Sequence, residues 1–254
     1  MENKNPNNDL KIDKIETAKN NIPQRAHMKD NTILAFPFSL LFSGRSGSGK
    51  TNLLINMLTK DSFYGNYFHY ILVFSPNAKI DDLYKSLKIP DENLRTRFSP
   101  EDLEHILKVR KTQIEKEGID AVAKGSRLLI IIDDGIADQQ FFKSKESIEI
   151  FIMLRHYLCS IMILTQKYNK IPPVQRDNAN GIIIFPSNRH EVELIKDELC
   201  PTFLDKKQFA KIVDYATDEK YSFLFINNKA DNKNRYRKNF DEIIDLDKYK
   251  NVNI

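Results

Sequence analysis

Residues 38–58 read FSLLFSGRSGSGKTNLLINML, and this stretch decides the fold. An apolar run through Leu40, Leu41 and Phe42 ends in Gly44-Arg45-Ser46-Gly47-Ser48-Gly49-Lys50-Thr51, and a helical pattern follows with Leu53, Leu54, Met57 and Leu58. Strand, glycine-rich turn and helix in that order form the setting of a phosphate-binding P-loop. Glycines let backbone N–H groups wrap phosphate oxygens in conformations that a Cβ would block. The helix N-terminus adds the positive end of its dipole. At this spacing Lys50 reaches the β and γ phosphates, and the Thr51 hydroxyl is placed to ligate Mg²⁺. Nucleoside triphosphate binding is therefore the first functional expectation, with ATP and Mg²⁺ as the cofactors.

Working outward, residues 1–31 are rich in Asn, Lys and Asp and are expected to be a mobile polar tail. Residues 32–228 form the expected nucleotide-binding domain, and 229–254 a basic then acidic C-terminal segment. Ile33 to Gly44 leads the chain into the sheet. YFHYILVFS (67–75), RLLIIIDD (127–134), SIMILTQ (160–166), GIIIFPS (181–187) and a last strand over 221–227 are apolar runs of strand length. Helices are expected over 81–87, from Ser99-Pro100 to about 117, and over 147–158, 171–179, 189–198 and 206–217. Strands apolar on both faces and alternating with helices predict an α/β fold, with a mainly parallel sheet covered on both sides.

The 254 residues are 41% hydrophobic, enough for one large core, and a net charge of +4 permits a polyanionic partner. No apolar run approaches the roughly 18 residues of a membrane span, and the polar amino terminus is not expected to be a signal peptide. Two cysteines, Cys159 and Cys200, are too few for a disulfide framework and are expected as buried thiols in an intracellular protein. Scattered histidines make a zinc site an unfavoured expectation.

Asp133 and Asp134 end an apolar strand, where the Mg²⁺-nucleotide partner of a P-loop belongs. The first acid is expected to serve Mg²⁺ and the second to polarise the attacking water. Gln166 ends the next strand, where an amide can orient water and sense the γ-phosphate. Arg155, in the apolar helix IEIFIMLRHYL, is expensive unless paired or presented at an interface. It is therefore either an arginine finger serving a neighbouring subunit or half of a structural ion pair, with Arg176 a weaker finger candidate. Asn228-Lys229-Ala230-Asp231 spells the NKxD of GTPases, but Asp133-Asp134-Gly135 lacks the companion spacing, so a polar turn is expected instead. Lys167, Lys170, Arg189, Arg235, Arg237 and Lys238, interleaved with Tyr168 and Tyr236, are candidates to face a nucleic-acid backbone.

Taken together, GRSGSGKT, LLIIIDD, LRHYLCSIMILTQKYNKIPPVQRDNANGIIIF and YRKNFDEII resemble the genome-packaging ATPases of the FtsK–HerA superfamily. The nearest likeness is to the poxvirus-type branch of large nucleocytoplasmic DNA viruses and virophages. The resemblance runs over residues 33–245. It implies an additional-strand, RecA-like P-loop fold, with the Gln166 strand between the P-loop and Asp133 strands. It also implies a pentameric or hexameric ring that hydrolyses ATP to drive double-stranded DNA into a capsid. Such a protein would act in infected-cell cytoplasm or viral factories, or with the virion, contacting capsid or other virion proteins and no membrane. By position, Gly44, Gly47, Gly49, Lys50 and Thr51 would hold phosphates and Mg²⁺, Asp133 would serve Mg²⁺, and Asp134 would be the base. Gln166 would be the sensor and Arg155 the trans-acting arginine. The superfamily usually carries Asp-Glu where this chain has Asp133-Asp134, which leaves the water position less defined. A helicase-like ATPase and a nucleotide-binding scaffold without a motor cycle are the competing expectations.

Overall fold

The computed structural model describes residues 22–134 and 139–250. Strands are β1 Ser39–Ser43, β2 Tyr70–Phe74, β3 Leu94–Arg95, β4 Leu128–Asp133, β5 Cys159–Thr165, β6 Gly181–Ile184, β7 Leu224–Asn227, β8 Tyr236–Lys238 and β9 Glu242–Ile243. Helices are α1 Ala26–Lys29, α2 Lys50–Thr59, α3 Asp82–Ser86, α4 Pro100–Glu117, α5 Ile119–Gly125, α6 Gln139–Lys143, α7 Lys145–Tyr157, α8 Pro173–Asp177, α9 Arg189–Leu199, α10 Lys206–Ala216 and α11 Asp247–Lys250. Among the described residues, nine strands join one sheet in the order β3-β2-β4-β5-β1-β6-β7-β8-β9. The pairs from β3 through β6 are parallel, and β7, β8 and β9 extend the sheet antiparallel.

Successive residues of the central strands point to opposite faces, and both faces are covered, which is why these strands carry no polar alternation. Leu41, Ile130, Ile132, Ile161, Ile163, Ile182 and Ile184 meet α4, α6, α7, α9 and α10 on one face. Leu40, Phe42, Leu129, Ile131, Met162, Leu164 and Ile183 meet α1, α2, α3 and α5 on the other. Each such fully buried aliphatic side chain contributes about 1.5–3 kcal/mol relative to exposure.

Helix starts follow the capping residues in the sequence. Ser99 accepts from the Asp102 amide ahead of Pro100, and Asp81 accepts from the Leu83 amide; each satisfies a donor that the first turn leaves open. In α4, Leu103 and Leu107 are buried as expected, whereas Ile106 and Ile114 are half-buried and Arg110 takes a buried place. Arg110 is held by the Tyr157 carbonyl at 2.8 Å and the Leu158 carbonyl at 2.9 Å.

The structure departs from expectation at both ends of the domain. Of the tail expected over 1–31, residues 1–21 lie outside the described residues. The rest is docked: Met28 is buried, and Arg25 donates to the carbonyls of Asp61, Phe63 and Gly65. The strand over 221–227 is not the last, because β8 and β9 continue the sheet within the segment assigned to a C-terminal extension. Arg237 and Lys238 are buried, so they are not DNA-facing. Lys238 Nζ is neutralised by Asp218 at 2.8 Å and Glu219 at 3.0 Å, and Arg237 donates to the Phe240 carbonyl. Tyr168 and Tyr236 are likewise buried and cannot stack on a nucleic acid, while Lys167, Lys170 and Arg189 are exposed and Arg235 is half-buried. Cys159 is a buried thiol, but Cys200 is only half-buried.

Candidate active site

The carboxyl ends of β4, β5 and β1 lie side by side, so the residues that follow them converge on one cleft. Its volume is about 550 Å³, and its lining includes Ser46, Gly47, Gly49, Lys50, Thr51, Asp133, Asp134 and Gln166. Gly47 at φ +74° and Gly49 at φ +102° occupy conformations that L side chains rarely adopt. Gly44 is required for space, since a Cβ there would stand 2.6 Å from Phe185 Cβ. From the first turn of α2, Lys50 reaches back over the loop, donating to the carbonyls of Gly44 at 2.7 Å and Arg45 at 3.0 Å. Burial lowers the Lys50 pKa, opposed by the charges of Asp133 and Asp134. The ammonium thus sits over the loop, opposite two carboxylates.

Asp133 is the last residue of β4 and only 7% exposed. Burial pushes its carboxyl up to about 6, and Asp134 adds to the rise, against the Tyr84 hydrogen bond and Lys50. The Tyr84 hydroxyl donates to Asp133 Oδ2 at 2.6 Å, and the Asp134 backbone N–H also bonds this carboxyl, so the group is held in place at the edge of the cleft. Tyr84 is itself buried, which raises its pKa, with Asp133 raising it further; it remains a protonated donor. Asp134 follows at φ +53°, where the chain leaves the strand. Gln166 Nε2 donates to Asp134 Oδ1 at 3.2 Å, so the structure brings the two expected catalytic groups into direct contact.

The two arginines part company. Arg176 is buried and forked onto Glu198, with its guanidinium 5.2 Å from the Tyr168 ring centroid, so its place is structural. Arg155 is exposed near the end of α7, and among the described residues no hydrogen bond or ion pair ties it, which removes the ion-pair alternative. It lines a different cleft, with Pro37, Asn178, Asn180, Lys229 and Arg235, at the amino ends of β1, β5 and β6. Between it and Gln166 runs the whole of β5, seven residues, or about 23 Å of strand.

Two site residues escaped the sequence reading. Tyr84 lies in a short helix expected only as a connection, and nothing local distinguishes it from a packing tyrosine. Tyr221, absorbed into the expected strand 221–227, instead stands ahead of β7 and lines the cleft. The Asn228-Lys229-Ala230-Asp231 stretch is a turn joining β7 to β8, as expected.

A glycine-rich loop between β1 and α2, an acid ending β4, and β5 lying between β1 and β4 define a P-loop NTPase fold with an additional strand. Within that class the chain belongs to the Poxvirus A32 protein family, which matches residues 25–254. It is 31% identical over 166 residues to the DNA packaging protein OPG160 of Vaccinia virus (strain Copenhagen), covering 64% of this chain and 58% of that protein. It is 24% identical over 192 residues to the uncharacterized protein 015R of Frog virus 3 (isolate Goorha), covering 74% of this chain and 56% of the relative. The chain thus spans a little over half the length of these relatives. Among solved structures, the DNA-packaging ATPase B204 from Sulfolobus Turreted Icosahedral Virus superposes with a TM-score of 0.54 at 16% identity, covering 76% of this chain and 94% of that one. B204 from Sulfolobus turreted icosahedral virus 2 in complex with AMP gives 0.52 at 17% identity, covering 75% and 92%. These likenesses bear out the fold and the family resemblance read from the motifs.

Proposed function

We propose that the chain is an ATP-hydrolysing motor that translocates double-stranded DNA during viral genome packaging. The observation that carries this reading is the meeting of Lys50, Asp133, Asp134 and Gln166 in one P-loop cleft, in a chain of the Poxvirus A32 family. The vaccinia relative is a DNA packaging protein and B204 is a DNA-packaging ATPase, and both likenesses support the packaging role.

In this reading the loop from Gly44 to Lys50 cradles the phosphates, and Lys50 swings from the loop carbonyls to the β and γ oxygens. The donor set fits Mg²⁺, which takes one or two protein ligands beside substrate phosphates: Thr51, with its hydroxyl, and Asp133, with its carboxyl, line the same cleft. The ion would neutralise charge on the transferring phosphoryl group. Asp134 accepts the proton of the attacking water, and Gln166 orients that carboxylate through its amide. Gln166 is also placed to register whether the γ-phosphate is present.

Arg155 is too far from its own P-loop to touch its own nucleotide, since the length of β5 separates them. It can serve a triphosphate only in trans, on a neighbouring copy in a ring, and its lack of a partner among the described residues and the neighbouring exposed Ile152 suit a subunit contact. Arginine fingers contribute roughly 10³–10⁵ in rate. We place the ring at viral assembly sites in the infected cell, in contact with virion proteins. The test is complementation. Arg155→Ala and Asp134→Asn should each lack ATP turnover while still binding nucleotide, and mixing the two proteins should restore part of the activity. Failure of the mixture to recover any turnover would remove Arg155 from the trans role.

A further inference from the structure

The acids occupy only one side of the phosphate loop. Sheet order places β4 and β5 on one flank of β1, and β6 and β7 on the other. On the second flank the cleft wall is aromatic, formed by Phe185, Tyr221 and Phe223. Phe185 and Phe223 are buried, with ring centroids 5.3 Å apart. Tyr221 is 56% exposed, and its ring sits beside the loop, with Cδ1 3.2 Å from where a Cβ on Gly49 would lie.

Tyr221 is held there by a braced turn rather than by packing. Its φ is +70°, a left-handed conformation that an aromatic residue rarely adopts. Glu219 and Ser222 close the turn: the Ser222 hydroxyl donates to the Glu219 carbonyl at 2.8 Å and accepts from the Glu219 amide at 3.1 Å. Lys238, from β8, anchors the same turn through Asp218 and Glu219. Lys220 Nζ stands 4.9 Å from the Tyr221 ring centroid. A fixed, half-uncovered ring beside a phosphate loop has the chemistry of a stacking platform for a flat heteroaromatic group.

We propose that Tyr221 forms the nucleobase subsite of this cleft, stacking the base of the nucleotide whose phosphates lie on Gly47 to Thr51. Strands spaced about 4.8 Å apart put the β4 and β7 ends about 19 Å apart, comparable to an extended nucleoside triphosphate. With the γ-phosphate at Asp133, Asp134 and Gln166, the base therefore falls on the Tyr221 side. The inference rests on the nucleotide-binding reading of the cleft and adds to it the residue that receives the base.

Equilibrium binding of the full chain to two probes separates the possibilities: ATP, and inorganic tripolyphosphate, which has the phosphates and no base. Tyr221→Ala should weaken ATP binding roughly 5- to 150-fold, the range for loss of one base–aromatic stack, and leave tripolyphosphate binding unchanged. Tyr221→Phe, which retains the ring, should recover ATP affinity. Unchanged ATP affinity in Tyr221→Ala would overturn the proposal. An equal loss for both probes would also overturn it, because the ring would then be supporting Gly49 rather than holding a base. Failure of the unaltered chain to bind either probe would instead overturn the nucleotide reading, and the subsite with it.

Discussion

Asp133 stands at a point where function and stability pull against each other, and Asp133→Asn should expose the conflict. The carboxyl is buried, and its pKa is raised by that burial from an ordinary 3.8 to about 6. The folded state therefore holds this proton more tightly than the unfolded chain does. Between those two values the folded protein binds more protons, so stability falls as pH rises through that window. By neutral pH the accumulated cost is about 3 kcal/mol. Asparagine is neutral, nearly the same size, and can still accept from the Tyr84 hydroxyl. Lys50 loses one of two balancing carboxylates in the variant, so the net gain should be smaller, about 1–3 kcal/mol at pH 7. Urea denaturation in chelator, without nucleotide, reads this directly. At roughly 2–3 kcal/mol per molar urea, the Asp133→Asn midpoint should rise on the order of 0.5–1 M at pH 7, and the gap should close toward pH 4. The variant should also lose the Mg²⁺-dependent part of its nucleotide affinity. An Asn variant no more stable at pH 7, or a gap that does not change with pH, would refute the burial argument.

Lys50→Ala should abolish ATP turnover and weaken tripolyphosphate binding, because it removes the ammonium that crosses the loop to Gly44 and Arg45; single-turnover hydrolysis and calorimetry check both. Asp134→Asn should keep ATP affinity and lose hydrolysis by roughly 10²–10⁴, the range for removing a general base; a rate within a few-fold of the unaltered chain would take the base role from Asp134. Arg176→Ala should lower stability by about 2–3 kcal/mol, below the full value for a broken buried pair because Glu198 is a quarter exposed. Thermal melts test it, and an unchanged melting temperature would contradict the structural assignment.

What the sequence made legible follows from local chemistry. Gly44, Gly47 and Gly49 announce a turn that only glycine can make, and Ser99-Pro100 and Asp81 mark helix starts through their own hydrogen bonds. Strands β1, β4, β5 and β6 were readable because both their faces are buried and their middles are continuous apolar runs, with polar residues only near the ends. The two acids and Gln166 were readable from their positions at strand ends, and sheet order then put them together. What escaped depends on contacts distant in the chain. Strand β8 reads Tyr236-Arg237-Lys238, whose cations lie buried only because Asp218, Glu219 and Phe240 receive them. Arg25 looked like part of a polar tail because its acceptors are carbonyls some 40 residues away. Tyr84 becomes informative only when α3 folds over the end of β4. The structural place of Arg176 depended on Glu198, 22 residues away and in another helix.

The most direct test of the motor reading is steady-state ATP hydrolysis by the full chain with and without long double-stranded DNA, across a salt series. A translocase that grips phosphates should be strongly stimulated by duplex DNA at 50 mM salt. That stimulation should collapse toward 200 mM, because each phosphate contact releases counterions on binding. Hydrolysis that proceeds at the same rate with and without DNA at low salt would contradict the DNA-motor account and leave an ATPase of another kind.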